Sequence, residues 1–97
     1  MNSKILVTGG SGMVGKSLQN LLPEAIFISS KDYDLSNKED TYECFNQIRP
    51  DIVVHAAARV GGIVANMSSP VEFFEDNIYI NTNVCNAAYK FGVKNFI

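Results

Sequence analysis

Cysteine, charge of one sign and long apolar runs are all in short supply in this 97-residue chain. Cys44 and Cys85 are the only two cysteines, and they stand apart with no metal-ligand spacing. That excludes a disulfide scaffold or a zinc module and predicts two buried thiols in a reducing compartment. No metal site is expected. Eight Lys and Arg against ten Asp and Glu leave a net charge of −2, with both signs interspersed. Such a balance argues against nucleic acid or an anionic membrane as partner. No apolar run approaches the ~20 residues that a membrane span requires. Lys4 is followed only by "ILV" before the first glycines, which is no signal-peptide pattern. The expectation is a soluble, cytoplasmic protein.

What the chain does have is alternation. "KILVTGG" (4–10) is a short apolar, β-branched run ending in glycine, the pattern of a buried strand. A helix is predicted from Met13 to Leu22, with Val14, Leu18 and Leu21 on its apolar face and Pro23 as its stop. "AIFIS" (25–29) reads as a second strand. "SNKE" (36–39) has the form of a capping box, with Ser36 as N-cap and Glu39 three residues on. The helix it opens carries Tyr42, Phe45 and Ile48 and ends before Pro50. "DIVVHAAA" (51–58) reads as a third strand and 59–70 as a loop. Pro70 is suited to start a long helix that runs to about Phe91 and stops at Gly92. "KNFI" (94–97) resembles the start of a fourth strand, so the chain is expected to be the N-terminal part of a longer domain. This order implies an α/β fold of Rossmann type, a doubly wound parallel sheet covered on both faces.

The stretch "GGSGMVGKS" (9–17) satisfies two phosphate-binding patterns. From Gly10 it is G-x-x-x-x-G-K-S, a P-loop. From Gly9 it is G-x-x-G-x-x-G, a dinucleotide-binding fingerprint. A P-loop enzyme also needs an acid at the tip of a neighbouring strand to hold Mg²⁺. The later strands end in "ISS" and "VHAA", and Asp51 stands at the wrong end of its strand. The dinucleotide reading is favoured. Gly9 permits the tight turn, Gly12 lets backbone approach a pyrophosphate and Gly15 lets helix and strand pack closely. Lys16 is then a solvated helix residue. Enzymes for NAD usually place an acid about 20 residues past the glycines, at the end of the second strand. Here "SSK" (29–31) offers hydroxyls and the Lys31 ammonium, which favours NADP. His55, the last large residue of the third strand, is expected to be structural rather than an acid or base.

"LVTGGSGMVGKSL", "SSKDYDL" and "VVHAAARVGGIVANMSSPVEFFEDN" together resemble the N-terminal part of the GDP-L-fucose synthase family, extended short-chain dehydrogenases/reductases. The resemblance covers essentially the whole chain. It implies an NADP-dependent epimerase–reductase that takes a GDP-sugar, GDP-4-keto-6-deoxy-D-mannose, to GDP-L-fucose. By match, Gly9, Gly10, Ser11, Gly12, Met13, Val14 and Gly15 would cradle the pyrophosphate. Lys31 would meet the 2′-phosphate, Asp34 and Leu35 would edge the adenine, and Ala56, Ala57 and Ala58 would form the bed of the cofactor. Ser11 stands where some bacterial relatives carry arginine. The superfamily's chemistry uses a serine and a Tyr-x-x-x-Lys pair. Tyr33, Tyr42, Tyr79 and Tyr89 are followed four places on by Asn37, Asn46, Asn83 and Val93, so no catalytic residue is assigned within these residues. A non-catalytic NADP-sensing relative, or another nucleotide-sugar epimerase or dehydratase, would share every feature read so far.

The helix after Pro70 carries two apolar stripes. Phe73, Ile80, Val84, Ala87 and Phe91 form one, and Val71, Phe74, Ile78, Cys85 and Ala88 the other. One stripe suffices for lying on a sheet. In the family the corresponding helix pairs with its copy, so a homodimer through residues 71–91 is expected.

Overall fold

The computed structural model describes residues 3–57 and 70–97. Four parallel strands carry the fold: β1 (Ile5–Thr8), β2 (Ile26–Ile28), β3 (Ile52–His55) and β4 (Asn95–Phe96). Between them run α1 (Met13–Leu21), α2 (Lys38–Ile48) and α3 (Pro70–Lys90). The strand order is β2-β1-β3-β4. Leu6 pairs with Ile26 on one side and Val53 on the other, and Thr8 with Ile28 and His55. The doubly wound parallel sheet read from the alternation is therefore what forms. The chain steps from β1 to β2 on one side and then crosses back to β3 on the other side of β1. That reversal opens a crevice at the carboxyl ends of β1 and β3, where ligands of such sheets bind.

The main core cluster lies on one face of the sheet, and Val7 of β1 is fully buried on the other. Leu6, Ile28 and Val53 alternate with their outward neighbours and meet Cys44 and Phe45 of α2 and Ile80, Val84, Ala87 and Ala88 of α3. Phe91 closes the rim, edge-on to Tyr42 at 6.0 Å and stacked on Phe45 at 6.4 Å between ring centroids. Two buried polar groups are satisfied: the Thr41 hydroxyl shares its one hydrogen between Asn37 O (2.8 Å) and Leu35 O (3.1 Å), and Asn83 Nδ2 donates to Leu35 O (3.0 Å). The loop after β2 is thereby tied to both helices.

The structure corrects three readings and adds the setting of α1 to them. The N-cap of α2 is Asn37, whose side chain accepts from Asp40 N at 2.9 Å. Asn caps as well as Ser, and the Ser36 hydroxyl is already committed to Asp34 Oδ1. Helix α1 presents its apolar face outward: Met13, Val14 and Leu21 are 87%, 59% and 74% exposed, and only Gly15 is buried. The close approach that Gly15 allows brings backbone, not side chains, against the sheet. Cys85 is exposed while Cys44 is buried, because Cys85 lies on the outward side of α3. Ala88 lies with the core stripe, not the second one. Ala58, the loop 59–69, and the side chains of Val71, Phe73 and Phe74 fall outside the described residues.

Candidate functional site

The crevice is built by backbone. Gly9 has φ +71°, a left-handed conformation that side chains disfavour, and turns the chain sharply out of β1. A Cβ there would sit 2.8 Å from Ala56 C and Ala57 N, so the glycine loop and the end of β3 touch. A Cβ at Gly15 would run into Gly9 O and come within 2.7 Å of Gly10 Cα. Gly10 N donates to Ile28 O at 2.7 Å and fastens the loop to β2, and Gln19 Nε2 reaches back to Gly10 O at 3.2 Å.

Gly12 behaves differently. Among the described residues a Cβ there meets only Gly9 O, at an ordinary 3.4 Å. The fold does not require glycine at this position, and the space in front of it is open. Gly12 is also the N-cap of α1, and no side chain caps it and no acid lies in the first turn. The first N–H groups of the helix and the positive end of its dipole thus face the crevice without a competing anion, an arrangement suited to phosphate.

A cavity of about 640 Å³ occupies this crevice. On one side it is lined by Gly9, Ser11, Gly12, Met13, Val14 and Gly15, and beneath by Ala56 and Ala57. Ser29, Ser30, Tyr33, Asp34 and Leu35 form the end beyond β2, with Ile80 of α3 alongside. Its size suits a small-molecule or cofactor site. Sequence reading had brought most of these residues together. Gly10 lies beneath the wall, and Lys31 is exposed and outside the lining. Tyr33 and Ile80 were missed as site residues. Tyr33 had no motif to flag it, and Ile80 read as core.

The β2 end is shaped by its own hydrogen bonds. Asp32 Oδ2 accepts from Ser29 N at 2.8 Å, and Lys31 N donates to Ser29 Oγ at 3.3 Å. The Asp32 carboxylate is thereby spent on the turn itself. Tyr33 donates to Gln47 Oε1, and its phenol pKa is raised, chiefly by burial and then by the neighbouring Cys44 and Glu43. Asp34 Oδ1 accepts from Ser36 N at 3.1 Å. Burial pushes the Cys44 thiol up to about 12, which leaves it inert beneath the site.

The P-loop alternative finds little support in this geometry. Lys16 is exposed and outside the cavity lining. Ser17, which would have to hold Mg²⁺, donates along its own helix to Met13 O at 3.1 Å. Asp51 sits at the opposite end of the sheet, accepting from Lys4 N at 2.9 Å. The donor set that remains is backbone N–H, small side chains and hydroxyls around an elongated cleft. It fits a dinucleotide.

A nucleotide-binding parallel sheet with its glycine loop at the switch point is thus in place. The chain belongs to the NAD dependent epimerase/dehydratase family, whose model matches residues 5–97. It is 45% identical over 96 residues to the GDP-L-fucose synthase of Dictyostelium discoideum, covering 92% of this chain and 30% of that protein. Among solved structures it superposes on a GDP-L-fucose synthetase from Naegleria fowleri bound to NADP, with a TM-score of 0.88 and 38% identity. That match covers 98% of this chain and 30% of the other. The GDP-mannoheptose C4 reductase of Campylobacter jejuni with NADP bound aligns at a TM-score of 0.90 and 26% identity, over 98% of this chain and 32% of its own. The chain therefore spans about a third of the length of these relatives.

Proposed function

We propose that these residues are the cofactor-binding part of an NADP-dependent nucleotide-sugar epimerase–reductase that makes GDP-L-fucose from GDP-4-keto-6-deoxy-D-mannose. One observation carries the reading. Similarity to GDP-L-fucose synthases runs through nearly the whole chain, glycine loop and β3 end included, and these are the segments that wall the cavity. Gly9 to Gly15 would hold the pyrophosphate at the N-terminus of α1. Ala56 and Ala57 would bed the nicotinamide half, and Ala58 would continue that bed. Asp34 and Leu35 would edge the adenine. Ser29, Ser30 and the Lys31 ammonium at the rim would take the 2′-phosphate. When bound, the cofactor supplies the hydride that reduces a sugar ketone. This chain's own part is to orient it with backbone donors and to keep carboxylates away from its phosphates.

The groups that move protons on the sugar would come from elsewhere in the protein, because none of the four tyrosines has a lysine four residues on. Residues 1–97 would therefore be inactive alone. The reading also carries a cytoplasmic location, with Cys44 and Cys85 both free. It carries a homodimer through α3 as well, on which Ile78, Tyr79 and Tyr89 stand exposed. A second reading, a GDP-sugar C4 reductase without epimerisation, is favoured by the likeness to the Campylobacter reductase. The full-length protein, given GDP-4-keto-6-deoxy-D-mannose and NADPH, should oxidise NADPH and yield GDP-L-fucose. A product reduced at C4 but unepimerised at C3 and C5 would select the second reading. Binding of NADPH without turnover would leave a cofactor-sensing relative.

A further inference from the structure

The bed of the cleft is held by a chain of three side chains, none of which lines the cavity. Thr8 Oγ1 accepts from Ala56 N and Ala57 N, both at 3.0 Å. It also lies 2.8 Å from His55 Nδ1, and His55 Nε2 lies 2.8 Å from Asn81 Oδ1 on α3. The protonation of this chain follows from counting donors and acceptors. Asn81 Oδ1 can only accept, so Nε2 carries a hydrogen. The two lone pairs of the Thr8 hydroxyl are taken by Ala56 and Ala57, so its single hydrogen points to Nδ1. His55 is then neutral, in one tautomer, with every site filled. A second ring proton would meet an oxygen that has no acceptor capacity left. Burial of the ring acts in the same direction, lowering its pKa.

We propose that Thr8, His55 and Asn81 are a positioning chain for the cofactor, holding Ala56 and Ala57 at the height that the Gly9 turn and the bound dinucleotide require. The inference rests on the cofactor reading above. The bed has little freedom to shift, since Ala56 already lies against the Gly9 backbone. Releasing its two N–H groups would free it to shift against the cleft. Ile80, the neighbour of Asn81, lines the same cavity, so the chain also sets where α3 meets the site.

The test uses the full-length protein, with NADPH affinity read from the fluorescence change on binding and fold integrity from thermal melting without cofactor. Thr8→Val keeps shape and removes the hydroxyl; it should raise Kd about tenfold or more, whereas Thr8→Ser should stay within about threefold. Asn81→Asp is isosteric and favours the imidazolium, which turns Nδ1 from acceptor to donor; it should raise Kd about tenfold while the protein stays folded. In ¹⁵N spectra, assigned by loss of the signal in His55→Asn, Nδ1 should resonate as an unprotonated nitrogen and move to the protonated range in Asn81→Asp. Failure of the unaltered protein to bind NADPH overturns the cofactor reading and this inference together. Binding that survives both Thr8→Val and Asn81→Asp within twofold, or a wild-type Nδ1 that carries a proton, overturns the positioning chain alone.

Discussion

Helix α1 buries one residue, Gly15, whereas α2 and α3 bury Thr41, Cys44, Phe45, Ile80, Val84, Ala87 and Ala88. The first helix is held by glycines and by backbone contacts to the loop before it. The other two are held by side chains interleaved with one face of the sheet. Close backbone approach and side-chain packing are thus assigned to different helices. A helix that must aim its N-terminus at a ligand gains from lying close to the sheet, and side chains would lift it away. A helix that must hold the sheet together gains from large side chains.

The difference can be broken most severely at Phe45. Phe45→Ala empties a fully buried site stacked on Phe91 and should destabilise the full-length protein by ~3–5 kcal/mol. Denaturant unfolding would read this, and NADPH affinity of the folded fraction should be unchanged. Gly12→Val should do the reverse. Its branched side chain would fill the space a pyrophosphate needs and abolish NADPH binding in titration calorimetry. Stability should fall by only ~1 kcal/mol, the cost of a poorer N-cap. Lys31→Ala should weaken NADPH by ~1.5–3 kcal/mol, one charge-assisted contact, and spare NADH. Equal losses for both cofactors would remove Lys31 from the 2′-phosphate.

Acidification should discriminate further. The His55 pKa is depressed in the fold, chiefly by burial, against a bond to Asn81 that raises it. A depressed imidazole favours the neutral form, so its contribution is complete at high pH and declines as pH falls below about 6.5, where the unfolded chain takes up the proton. The slope is at most about 1.4 kcal/mol per pH unit for one group, and His55→Asn should remove its share of it. Smallest of all, Leu21→Gln on the outward face of α1 should change unfolding free energy by less than ~0.5 kcal/mol.

Much of this was legible from spacing. Strands written as apolar runs, glycines at 9, 12 and 15 and the prolines at 23 and 50 all mark features that local physics enforces. The cap of α2 slipped from Ser36 to Asn37 because adjacent residues compete equally for the role, and Asp34 settles the choice from outside the helix. The outward setting of the apolar face of α1 was not legible, because periodicity reports amphipathicity and not how closely the axis approaches the sheet. Tyr33 carried no motif that would have placed it at the site, where the fold sets it with Ser30 and Asp34. Nor could Lys31, named from its charge, its place after the second strand and the resemblance, have been known to lie outside the cavity lining.

The bonds from Ala56 and Ala57 to Thr8 join residues 48 and 49 positions apart. In order of synthesis, the glycine loop emerges long before the strand that completes it. Until β3 pairs with β1, the loop is exposed backbone with one wall, however well its own residues are chosen. A growing chain therefore joins the two facing walls of the cleft when His55 and its alanines arrive, and Ile80 of α3 is added after them. Loop closure over this distance is slow compared with forming a local helix. The cleft and the central strand pair thus share one folding event, and a protein that has formed the first has already committed to the sheet.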